Sequence, residues 1–126
     1  MKKIINTPNA PEPIGPYNQA VLVGDMLYTS GQIAINPKTY ELVIDDIFEE
    51  THQVMKNLKA VLIEADMSFE NVIKTTIFIS DMHNFSKINE VYSTYFDSAT
   101  APARETVEVA NLPKFVNVEI SCIACK

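Results

Sequence analysis

Between residues 45 and 65 the apolar positions recur at intervals of three and four. Ile47, Thr51, Val54, Met55, Leu58, Val61, Leu62 and Ala65 form one stripe, which predicts an amphipathic helix. Asp46 followed by Glu49 has the spacing of a capping box at its start. A second stripe, Phe85, Ile88, Val91, Tyr92, Tyr95 and Phe96, predicts a helix over 84–97 capped by Asn84. Elsewhere the period shortens to two. The runs 19–23 and 26–30 flank Gly24-Asp25 and read as a hairpin. The stretch "QIAINPKTYEL" gives a short extended piece with a turn at Pro37. "VIKTTIFIS", 72–80, is dense in β-branched residues and reads as a strand. Strands at 103–110 and 115–124 follow, joined by a turn at "NLPK". Prolines at 8, 11 and 13 make the first dozen residues an extended arm.

This order places one helix after the early strands and a second between later ones. Two helices cannot cover both faces of a sheet of four or more strands. An α+β fold of two layers is expected, with the helices together on one face. The other face also carries apolar residues such as Phe78, so self-association is expected to cover it. In 115–124 the even positions, Val116, Val118, Ile120, Cys122 and Ala124, form an apolar face that should pack under the helices. In 103–110 the apolar Val107 and Val109 are expected to face the same way. Arg104, Thr106 and Glu108 would then share the far face with Glu119. A hairpin around Asn111–Lys114 would make Arg104 and Glu119 cross-strand neighbours. Such a pair is either an ordinary surface ion pair or a site, with Arg104 gripping a carboxylate and Glu119 activating a water.

Composition narrows the choice. The 126 residues suit one domain spanning 1–126, and 47% apolar content suits a globular chain. No apolar run approaches a membrane span, and "MKKIINTPNAPEP" lacks the apolar region of a secretory signal. With two cysteines and no disulfide framework, a reducing cytoplasm is the expected compartment. Sixteen acids against ten bases give a net charge of −6, which opposes nucleic-acid binding. The three glycines, Gly15, Gly24 and Gly31, form no phosphate-cradling loop. His52 and His83 have no second ligand at metal spacing, so no metal site is expected. "CIAC" lies in a strand with its sulfurs on opposite faces, which argues against a redox pair and makes Cys122 a core residue.

"IGPYNQA" at 14–20, "YTSGQIAINP" at 28–37, "VIKTTIFISDMHNFSKINEVYSTYF" at 72–96, "PARETVEVANLP" at 102–113 and "VEISCIA" at 118–124 together resemble the RidA family, also called YjgF/YER057c/UK114. The resemblance runs over nearly the whole chain. It implies a chorismate-mutase-like α+β fold: a mixed sheet with two helices on one face. It also implies a homotrimer whose sheets form a central barrel, with clefts between subunits. The implied activity is that of a 2-iminobutanoate/2-iminopropanoate deaminase. Such a hydrolase converts reactive 2-imino or enamine acids (2-aminoacrylate, 2-iminopropanoate, 2-iminobutanoate) to 2-keto acids and ammonia, without a cofactor.

Carried over by position, the resemblance implies that Arg104 binds the substrate carboxylate and Glu119 positions the attacking water. Tyr17 would line the cleft and hydrogen-bond near the reacting centre, and Ser30 and Gly31 would add polar and backbone contacts. Asn89 would support the cleft, and Thr106 would offer its backbone carbonyl near the water. Thr106 stands where deaminating relatives often have cysteine, so a backbone role survives there and a thiol role does not. Tyr40 and Asn111 stand in turns where Gly and Arg are the expected residues. Two other readings accompany the family: a non-catalytic keto-acid binding or sensing module, and an RNA-directed translation inhibitor or endoribonuclease. The acidic balance weakens the second.

Overall fold

A computed structural model describes residues 1–126. One six-stranded mixed sheet runs in the order β1-β2-β3-β6-β4-β5. The strands are β1 (Lys2–Ile5), β2 (Ala20–Val23), β3 (Met26–Thr29), β4 (Val72–Ile79), β5 (Ala103–Glu108) and β6 (Val118–Cys125). Two helices, α1 (Ile47–Glu64) and α2 (Phe85–Tyr92), pack against each other, and α1 packs on β6. The architecture is the expected two-layer α+β arrangement.

The stripe of α1 is its buried side. Thr51, Val54, Met55, Leu58, Val61 and Leu62 are all buried. The side chain of Asp46 caps the start by accepting the Glu49 N–H at 3.4 Å. Past the C-terminal end, Met67 N–H bonds Leu62 O and Asp66 N–H bonds Ile63 O, each at 2.9 Å, with Asp66 at φ 58. This is a Schellman closure, with aspartate where glycine is usual. On the sheet, Ile77, Ile79, Val118, Ile120 and Ala124 complete the core, and Cys122 is buried among them as expected.

Glu50 sits inside this apolar layer with no exposed surface. Burial pushes its carboxyl above the usual range, and hydrogen bonds from Asn117 and Val118 oppose that rise. The carboxylate accepts Asn117 N–H and Asn117 Nδ2 at 2.7 Å each, and Val118 N–H at 3.2 Å. It therefore ties α1 to the entry of β6, where an unpaired backbone donor would otherwise be buried.

The structure corrects several of the sequence expectations. Lys2–Ile5 is not a free arm but a strand paired antiparallel with β2. The short piece after Gly31 pairs only through isolated bridges, Gln32 to Ile120 and Ile35 to Leu42, in keeping with the short extended piece expected there. The second helix ends at Tyr92 instead of 97, and Asn84 makes no side-chain cap; Asp81 caps the preceding turn by accepting the His83 N–H at 2.9 Å. Most important, β5 and β6 form no hairpin. β4 lies between them, parallel to β5 and antiparallel to β6. The β4-α2-β5 passage is a crossover unit, which is why its strands pair in parallel.

The register also reverses the expected faces of β5. Arg104 is level with Thr75 and Cys122, and Thr106 with Ile77 and Ile120, all on the helix side. Val107 is level with Phe78 and Glu119 on the open face. That face also carries Tyr28, and Tyr28 and Val107 are 48% and 44% exposed. Apolar residues therefore occupy both faces of the sheet, so polarity alone did not orient this strand.

Tyr40 closes the loop between Ile35 and Leu42 with φ 61. A side chain costs about 1–2 kcal/mol in that left-handed region, and glycine costs little. Tyr40→Gly should therefore raise the unfolding midpoint by a few degrees in a thermal melt, corresponding to about 1 kcal/mol after the glycine's entropy is discounted. An unchanged or lower midpoint would show that contacts of the tyrosine ring outweigh the strain.

Candidate active site

Glu119 projects from the open face of β6, and Gly31 follows the end of β3. The bridge between Gln32 and Ile120 brings the two segments together, with hydrogen bonds of 2.8 and 3.1 Å. The Glu119 side chain lies directly over Gly31. A methyl group on Gly31 would stand 2.5 Å from Glu119 Oε1 and 2.6 Å from its Cδ. Glycine is required there by close approach, not by backbone angle. Glu119 is half-buried, and burial alone raises its carboxyl above the usual range.

The carboxylate borders a cleft of about 410 Å³ that Tyr17, Ser30 and Gly31 also line. Tyr17 is half exposed. Ser30 Oγ donates to Asn18 O at 2.6 Å, which leaves its lone pairs free to accept from a ligand. The opposite wall is the proline-rich arm. Gln19, 2% exposed, holds it in place. Its Oε1 accepts Thr7 N–H at 2.7 Å, and its Nε2 donates to Thr7 O, Ala10 O and Pro11 O at 3.0, 3.2 and 2.9 Å. One amide thus stands in for the ladder that the prolines cannot supply.

Arg104, Asn89 and Thr106 form a separate cluster on the helix side. Arg104 Nη1 donates to Asn89 Oδ1 at 2.6 Å. The guanidinium carbon stands 5.0 Å from the Tyr92 ring centroid and 5.5 Å from that of Phe85. Two aromatic faces and one amide hold the cation in a fixed orientation while it remains exposed. Thr106 Oγ1 is shielded from water without a hydrogen-bond partner.

The expected adjacency of Arg104 and Glu119 is therefore not met within one chain. They lie on opposite faces, with β4 between their strands and an offset of three residues along it. Strand spacings put their Cα atoms about 14 Å apart. The chain gathers Tyr17, Ser30, Gly31 and Glu119 in one place, and Arg104, Asn89 and Thr106 in another. Gln19, Glu50 and the aromatic seat of Arg104 were not singled out from sequence. Gln19 stands in the quoted "IGPYNQA" motif, but nothing local reveals that its partners lie in the arm. No group of three or more His, Cys, Asp or Glu is gathered as for a metal ion.

Gly31→Ala should displace the carboxylate rather than break the fold, since the atoms in the way belong to a flexible side chain. The expected result is a shifted Glu119 side chain, read directly from the crystal structure of the variant. The melting temperature should stay within a few degrees of the parent. An unfolded Gly31→Ala protein would assign Gly31 to the fold instead.

Comparison with known proteins gives a consistent family. A family model described as Endoribonuclease L-PSP matches residues 7–126. A RutC family protein of Synechocystis sp. is 53% identical over 123 residues, covering 97% of this chain and 95% of its own. TdcF of Escherichia coli K12, provisionally named a reactive intermediate deaminase, is 46% identical over 128 residues, covering 100% of this chain and 98% of its own. The solved structure of E. coli TdcF with bound serine superposes with a TM-score of 0.93 at 44% identity, over 98% of each chain. A Thermotoga maritima structure, provisionally named an endoribonuclease, superposes with a TM-score of 0.96 at 49% identity, over 100% of this chain and 98% of that one. Matches of this identity and coverage, on the same fold, place the chain in the RidA (YjgF/YER057c/UK114) family.

Proposed function

We propose that the chain hydrolyses reactive 2-imino acids to 2-keto acids and ammonia, as a homotrimer with composite sites between subunits. The observation that carries this reading is the half-buried Glu119 carboxylate, set over Gly31 in a cleft that a small substrate can enter. Arg104 of one copy would complete the cleft of another. The open sheet face bearing Tyr28, Phe78 and Val107 is the surface through which copies would associate. The name of TdcF points to the same chemistry, and serine bound to TdcF carries the α-carboxylate that Arg104 would grip.

The chemistry asks little of the protein. A protonated C=N carbon is already electrophilic. Arg104 would hold the α-carboxylate, and Tyr17 would hydrogen-bond near the reacting centre. Glu119 would accept a proton from water as its oxygen bonds to the imine carbon. Glu119 would pass that proton to the amino nitrogen, then take the hydroxyl proton as the C–N bond breaks and the C=O of the keto acid forms; the departing ammonia would carry this second proton away as ammonium, leaving Glu119 ionised again. The Thr106 backbone carbonyl would help to hold the water. Positioning and exclusion of bulk water supply most of the acceleration. No helix is long and apolar enough to cross a membrane, and the proposed place of action is the cytoplasm.

The deciding experiment measures pyruvate released from enzymatically generated 2-aminoacrylate. Wild type should exceed the spontaneous rate and Arg104→Ala should not. A wild-type rate equal to background would sink the reading. RNA cleavage is the second reading, favoured by the description of the family model. An excess of six negative charges opposes it, and release of fragments from a defined RNA at physiological salt would support it. A keto-acid binding module would show saturable ligand binding with no turnover.

A further inference from the structure

The loop between β5 and β6 contains an unexplained strain. Lys114 and Phe115 are consecutive non-glycine residues at φ 56 and φ 55. Each costs about 1–2 kcal/mol in that region, and a bulky aromatic there is rare. Phe115 recovers little from packing within its own chain, where it is 78% exposed. Strain kept without packing gain is a reason to look for a task.

The strained turn sets Lys114 at the wall of the Glu119 cleft. Lys114 is the single cation among the residues lining it, beside two acids, Glu12 and Glu119. The two ion pairs of the chain are Lys74–Glu105 and His83–Asp81, so Lys114 is in neither. Lys114 and Glu119 thus border one cleft from different segments. A substrate that reacts at Glu119 with its α-carboxylate held by Arg104 would have its side chain left to meet the wall that carries this ammonium.

We infer that Lys114 is a specificity residue that favours 2-imino acids carrying a second carboxylate on their side chain. This rests on the deaminase reading and extends it to a substrate class. The turn's role is to present an ammonium that nothing in the chain neutralises. A dicarboxylic imine would pair with it, whereas a short apolar imine would not.

The test compares imines formed in situ by an amino-acid oxidase from aspartate and from alanine. The readout is the ratio of their kcat/KM values for keto-acid release, with the spontaneous rate subtracted. Lys114→Asn removes the charge and keeps a residue that tolerates the left-handed turn. That ratio should fall at least about fivefold in Lys114→Asn, stay near the parent value in Lys114→Arg, and shrink with added salt in the parent. An equal loss on both substrates would assign Lys114 to the α-carboxylate or to the fold, and would overturn the inference. So would an unchanged ratio. If neither imine is hydrolysed above background by wild type, the deaminase reading itself fails. Hydrolysis of the alanine imine with no effect of Lys114 on the ratio rejects the specificity role alone.

Discussion

Glu119→Gln is expected to lower imine hydrolysis by about two to four orders of magnitude, the range for loss of a general base. The same substitution should make the folded protein more stable near neutral pH. Burial raises the Glu119 carboxyl above its ordinary value, so the folded state favours the protonated form. The stability this group contributes is present at low pH and is lost as pH rises through the raised value. Above it, an ionised carboxylate is held partly out of water, and glutamine removes that cost. A thermal melt of wild type and Glu119→Gln at neutral pH, repeated in acid, measures the effect. Their gap should narrow as the pH falls. The activity profile should mirror it, with the acid limb of kcat/KM centred above the ordinary glutamate range. A variant that loses both activity and stability would show a structural carboxylate rather than a catalytic one.

Arg104→Ala is expected to cost about two orders of magnitude in kcat/KM, since it removes the proposed charge-assisted grip on the substrate carboxylate. Its fold should be retained, because the side chain is exposed and its contacts are one amide and two ring faces. Mixing gives the sharper result. Arg104→Ala and Glu119→Gln should each retain about one per cent of the activity or less when alone. Unfolded together and reassembled at equal concentration, they should recover about a quarter of the wild-type activity, the fraction of contacts at which an intact Arg104 meets an intact Glu119. Sites built within one chain would recover nothing. The separation of the two residues across β4 is the reason to expect recovery.

The helices and most strands were legible because their periodicity is local. Thr51, Val54, Met55, Leu58, Val61 and Leu62 are buried as the stripe of α1 requires, and Asp46 caps it, though without the return bond from the Glu49 side chain that a full capping box has. Strand order was not legible in the same way. "NLPK" joins two adjacent runs, and sequential strands usually pair, yet β4 takes the place between β5 and β6. The α2 crossover that precedes β5 was the better guide, since a helix between strands goes with parallel pairing. The orientation of β5 failed for a related reason. Polarity identifies the inner face only where the other face meets water, and here Phe78 and Val107 make the open face apolar. On the helix side Arg104 meets α2, where Phe85 and Tyr92 offer their ring faces to it. The motifs named the candidate residues, while geometry divided them into two groups. Residues that act at a distance stayed hidden. Glu50 reads as an ordinary helix-surface acid until β6 is placed over it, and Gln19 as a loop amide until the arm folds back.

The volume above Gly31 has a further meaning for how this sequence can vary. A side chain at position 31 and a carboxylate at position 119 compete for the same few cubic ångströms. Neither position is free to drift alone. A descendant that gains even a methyl group at 31 loses the placement of its acid, and selection on the acid can then relax. Among relatives, glycine at 31 should thus be inherited together with glutamate at 119. A chain that has lost one should tend to have lost the other, whatever the rest of its fold retains.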